Sequence, residues 1–122
     1  MTGPFVFFDL RTPDVAASRA FYTAFAGLMV TDIPAGTGTV AMFTGDDGAP
    51  WGGFTVLPEG DPRPPQWVPY LPVSDLSQAA RRAVELGATV IRDRVDLPPG
   101  SLMVITDPGG ATVALWQEAG RQ

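Results

Sequence analysis

Trp67-Val-Pro-Tyr-Leu-Pro-Val-Ser74 opens the stretch that decides the fold, and Asp107-Pro-Gly-Gly-Ala-Thr-Val-Ala-Leu-Trp-Gln117 closes it. The first segment is apolar, aromatic and β-branched, as a strand requires. After it, Leu76, Ala79, Ala80, Ala83 and Leu86 recur on one helical stripe, with Arg81, Arg82 and Glu85 turned to solvent. Asp75 followed by Gln78 resembles a capping box, and Gly87 stops the helix. Residues 88–92 read as a short strand, 95–100 as a loop and 102–106 as a strand. Asp107-Pro-Gly-Gly110 then turns the chain into a last strand over 112–117. The order is strand, helix, three strands.

A looser copy of that order fills residues 5–58. Phe5-Val-Phe-Phe-Asp-Leu-Arg11 reads as a central strand. Its Val6, Phe8 and Leu10 point one way, and Phe5, Phe7, Asp9 and Arg11 the other. Thr12 is the expected N-cap, with Pro13 at the first helical position and Asp14 at the positive end of the dipole. Val15, Ser18, Tyr22 and Phe25 follow at helical spacing, and Gly27 ends the helix. Strands are expected over 28–33, 39–44 and 51–57, with Gly45-Asp-Asp-Gly48 as a tight turn. The Pro-rich segment 58–65 is a stiff spacer. Asp14 matches Asp75 and Gly27 matches Gly87, with one residue inserted near the first helix. The reading is α+β: two tandem βαβββ modules, 1–60 and 61–122, forming a saddle-shaped mixed sheet around a central cavity.

Composition narrows the chemistry. At 122 residues the chain is sized for one domain, and 45% apolar content supplies a core. The 14 Gly and 13 Pro sit mostly between periodic segments and read as turns. Without Cys there is neither a disulfide framework nor thiolate chemistry, which fits a cytoplasmic setting. No apolar run reaches the roughly 18 residues of a membrane span, and no basic leader opens the chain. A net charge of −5 argues against tracking nucleic-acid phosphates and would steer cationic molecules inward. The absence of His removes the commonest metal ligand and the commonest neutral-pH base.

Phe8-Asp-Leu-Arg-Thr-Pro-Asp14, Phe21-Tyr22 and Gly27 in the first half, with Trp67-Val-Pro-Tyr70, Val73-Ser-Asp75, Glu85-Leu-Gly87 and Asp107-Pro-Gly-Gly-Ala111 in the second, carry a resemblance. They resemble the vicinal oxygen chelate superfamily of glyoxalase I, the bleomycin resistance proteins and the extradiol dioxygenases, closest to its hydroxylase-like branch. In metal-using members, the resemblance implies, each module offers one ligand on its first strand and one on its last. Here those positions are Phe7 and Val68, then Ala114 and the neighbourhood of Gly53 and Phe54. None of these side chains can coordinate a cation. Neither a metal nor another cofactor is therefore expected.

Phe7, Trp51, Phe54, Tyr70 and Trp116, with Met42 and Met103 nearby, are the candidates for lining a cavity that holds a hydrophobic or aromatic molecule. Each is also an ordinary core residue taken alone. Asp9 and Arg11 share a face: they are either a polar anchor for ligand or a mutually satisfied ion pair. Tyr70 is the polar handle of the second half, while Arg92 and Arg94 suit either a cavity rim or solvated strand ends. The resemblance implies a metal-independent binder that sequesters a drug-like molecule, working as a homodimer. The alternative is a cofactor-free isomerase, cyclase or oxygenase using Asp9 and Tyr70 as acid and base. A metal-dependent lyase or dioxygenase stands last.

Overall fold

The computed structural model describes residues 3–120. They form an α+β chain of eight strands and two helices, consistent with tandem βαβββ modules. Two compact units divide it: one runs Phe7–Trp67, and the other runs from Val68 onward and includes residues 3–6.

In the first unit, β1 (Phe7–Thr12) leads to α1 (Val15–Ala26), then β2 (Met29–Ala35), β3 (Gly38–Thr44) and β4 (Pro50–Val56). The strand order is β2-β3-β4-β1, with β1 parallel to β4 and the others antiparallel. The helix begins two residues later than the sequence suggested. Asp14, not Thr12, is the N-cap, and its carboxylate accepts from the Ala17 amide at 3.0 Å. Thr12 Oγ1 is committed elsewhere, accepting from the Asp14 amide at 3.2 Å and from Ser18 Oγ at 3.0 Å. Gly27 ends the helix with φ 66°, the left-handed geometry that favours glycine.

In the second unit, β5 (Gln66–Pro72), which starts at the border, leads to α2 (Leu76–Glu85), β6 (Thr89–Leu97), β7 (Gly100–Thr106) and β8 (Thr112–Glu118). The order is β5-β8-β7-β6, with β5 parallel to β8. Asp75 caps α2 through the Gln78 amide at 3.0 Å, and Gln117 Oε1 takes the Leu76 amide at 2.7 Å. Leu76 and Ala80 pack the helix onto Met103, Ile105 and Leu115. Leu86, expected on the same stripe, is 61% exposed because it lies beyond the last helical turn.

The expected loop over 95–100 is largely strand. β6 continues to Leu97, pairing Val95 with Leu102 and Asp96 with Ser101, before Pro98-Pro99 reverses the chain. Asp96 ties this hairpin by accepting from Arg94 Nε and Ser101 Oγ, and both bonds hold its carboxyl below the ordinary range. β6, at the end of the sheet order, is interrupted by two register shifts, between Val90 and Arg92 and between Arg92 and Val95.

Candidate functional site

Each sheet has a face turned away from its helix, and strand alternation decides which side chains occupy it. In the first unit Asp9 lies opposite Gly53, Arg11 opposite Thr55, and Met42 opposite Gly53. A Cβ on Gly53 would sit 3.2 Å from the Phe7 ring and 3.5 Å from Met42 Sδ, so both side chains close over that glycine. Phe7, Asp9, Arg11, Met42 and Thr55 therefore share one face. Asp9 and Arg11 are each 5% exposed. Asp9 Oδ2 accepts from Thr55 Oγ1 at 2.7 Å and from Arg11 Nε at 3.3 Å. The mutual ion pair is thus present, with a third partner in Thr55. Its position two residues after Gly53 was the available signal, but only the β1–β4 register reveals it.

In the second unit Val68, Leu102, Val104 and Ala114 form a buried cluster, against which Tyr70, Val95 and Trp116 pack. Register places Tyr70 beside Ala114 and Leu102 beside Trp116. The Tyr70 and Trp116 rings lie 5.8 Å apart at 39°. Val68 and Ala114, two of the positions that the resemblance marks for metal ligands, are fully buried hydrocarbon. Among the described residues no group of three or more His, Cys, Asp or Glu is placed to hold a metal ion.

Other candidates lie elsewhere. Phe54 pairs in register with Leu10, which puts it on the face opposite Asp9. Its ring packs 4.6 Å from Phe43, and Trp51 stacks on the same ring at 5.0 Å. Tyr22 and Trp67 complete this helix-side cluster, joined by a 3.1 Å hydrogen bond from Trp67 Nε1 to Tyr22 Oη. Met103 pairs with Leu115 and belongs to the α2 core, away from Tyr70 and Trp116. Arg94, inside β6, bonds Asp96, Ser77 and Ser101 at exposed positions, as a solvated side chain does. A groove of about 390 Å³ runs along α1, its lining including Leu10, Arg11, Thr12, Phe21, Tyr22 and Trp67.

The glyoxalase-like domain family matches residues 5–116, and the chain belongs to that family within the vicinal oxygen chelate superfamily. A Mycobacterium bovis protein provisionally named as a glyoxylase, CFP32, is 35% identical over 114 residues, covering 89% of this chain and 43% of that protein. The anthracycline biosynthesis protein DauV of a Streptomyces species is 34% identical over 103 residues, covering 84% of this chain and 37% of its own length. The chain thus spans less than half of these relatives. Methylmalonyl-CoA epimerase from Mycobacterium tuberculosis shares the fold, with a TM-score of 0.61, 17% identity and coverage of 98% of this chain and 93% of its own.

Proposed function

We propose that the protein is a metal-independent binder of a flat hydrophobic or aromatic small molecule. The observation that carries this reading is the chemistry of the inherited ligand corners. Phe7, Val68 and Ala114 offer no donor atoms, while Tyr70 and Trp116 stand as a ring pair on the same face as Val68 and Ala114. Such pockets are mostly apolar with a few polar anchors. The name of DauV, a protein of anthracycline biosynthesis, supports a polycyclic aromatic ligand. The net charge of −5 would add long-range attraction for a cationic group on it.

Trp116→Ala and Tyr70→Ala should each weaken binding of an aromatic ligand by about 1–3 kcal/mol, with the fold retained. Thermal-shift screening of aromatic natural products supplies the ligand, and isothermal titration reads the loss. Unchanged affinity in both variants would remove the site from this face. The biosynthetic names of the relatives favour a second reading, a cofactor-free enzyme with Asp9 and Tyr70 as its acid and base. Turnover of the same ligand that disappears in Asp9→Asn while binding persists selects that reading.

Two copies are expected to pair. None of the residues of α1 is buried, and Phe21 and Phe25, 54% and 76% exposed, stack with ring centroids 5.2 Å apart. An apolar helix face of this kind needs cover. Light scattering should give twice the chain mass, and changing Phe21 and Phe25 together to Ser should shift the species toward monomer. A wild-type chain that is monomeric at high micromolar concentration refutes the pairing.

A further inference from the structure

The groove along α1 lies wholly within the first unit and is walled by aromatic rings. Its volume, about 390 Å³, falls in the range of small-molecule sites. The Tyr22 ring meets Phe21 at 83° with centroids 4.9 Å apart, and Trp67 at 74° and 5.3 Å. Tyr22 thus stands nearly perpendicular to both neighbours, and Phe21, 54% exposed, offers open ring surface. Two polar groups are set among these rings. Tyr22 Oη accepts from Trp67 Nε1 at 3.1 Å, and its own proton has no acceptor among the described residues. The carboxamide of Gln66, half-buried at the start of β5, likewise bonds to no described residue. The hydroxyls nearby are committed: Ser18 Oγ bonds Thr12 Oγ1, which also accepts from the Asp14 amide.

These groups define what the groove would hold. A tyrosine hydroxyl with a spare proton calls for an acceptor, and a glutamine amide both gives and takes. A hydroxyl on an aromatic ring fills both roles at once. The only charged side chain of the lining is Arg11, whose guanidinium is paired with Asp9, so nothing there compensates a charged ligand. A cation would find ring faces to rest on, but it would leave the Tyr22 proton unused. We propose that the α1 groove is a second small-molecule site and that it takes a neutral phenol. The phenol's ring lies against the aromatic walls, and its hydroxyl bonds Tyr22 and Gln66. Phe21 serves both this groove and the pairing expected above, while Phe25 does not line the groove. No residue of the Tyr70 and Trp116 face takes part, so this inference stands apart from the binding reading above.

Three probes of matched ring size separate the possibilities: 2-naphthol, 2-methylnaphthalene and 2-naphthylmethylammonium. Each is titrated into nitrogen-15-labelled protein, with the Trp67 indole and Gln66 amide peaks assigned through Trp67→Phe and Gln66→Leu. The expected result is that 2-naphthol moves both peaks together and saturably, binding about tenfold tighter than 2-methylnaphthalene. In Gln66→Leu and in Tyr22→Phe that preference should fall toward one while 2-methylnaphthalene affinity holds. Circular dichroism and melting curves confirm the fold of each variant. Gln66→Leu leaves the Trp67–Tyr22 bond in place, so it decides the case if Tyr22→Phe proves unstable. Trp67 and Gln66 peaks that do not move, a wild-type preference near one, a preference unchanged in Gln66→Leu, or the ammonium as tightest ligand each overturns the assignment. Movement of the Trp116 indole peak alone would put 2-naphthol at the Tyr70 and Trp116 face, so that reading would stand while this one fails.

Discussion

Asp9→Ala is expected to lower folding stability by about 3–5 kcal/mol, because it leaves the Arg11 charge buried without its counter-ion. That is a large share of the roughly 5–15 kcal/mol available to a domain, so the variant should be partly unfolded near room temperature. Asp9→Asn should cost less, about 1–3 kcal/mol, since an amide oxygen still accepts from Thr55 and Arg11. Replacing both members, as in Asp9→Leu with Arg11→Met, should recover much of the loss, because no lone charge then remains. Urea denaturation of the four proteins measures the set. A cost below about 1 kcal/mol for Asp9→Ala would mean that water reaches the pair, and the 5% exposures would then misdescribe its surroundings.

Gly100→Ala is expected to cost about 3 kcal/mol, at the upper end for overpacking a single methyl group. Its Cβ would stand 2.5 Å from the Gln117 carbonyl oxygen and 2.6 Å from the Trp116 ring. Neither neighbour yields easily: one is backbone in the β7–β8 ladder, and the other is a large ring with two torsions. The ring must move, so aromatic affinity should drop along with stability. Gly100→Ala combined with Trp116→Leu should show less than the sum of the two losses, since the smaller side chain vacates the contested space. Strict additivity would show that the ring and Gly100 do not compete, and that the clash is with the carbonyl alone.

How much of this was legible in the residues depends on what each element is fixed by. Within a strand the side-chain period is two, and parity alone put Asp9 with Arg11 on one face of β1. Across strands, parity is silent until register is known. Phe54 sits opposite Leu10 and not Asp9, a shift of one residue that moves its ring to the other face. Met103 changed sides for the same reason. The first helix offered two capping side chains within three residues, and the choice fell to Asp14 once Ser18 engaged Thr12. The long β6 hid behind a Pro-Pro-Gly signal, since a strand can run up to a proline when its last pairs are tied by side chains such as Asp96 and Ser101. The positions that the resemblance marks for ligands could be named only through that resemblance, and nothing linear shows that Asp9 and Arg11 are both enclosed.

The irregular course of β6 bears on how this molecule can and cannot assemble. A border strand that is straight, long and uncharged templates the addition of another strand, and that route leads to fibres. Here the two register breaks and the run Arg92-Asp-Arg94 spoil the spacing and charge that an incoming backbone would need. Removing the irregularities and neutralising those charges should favour the addition of a further strand at this border and raise the tendency to form fibres.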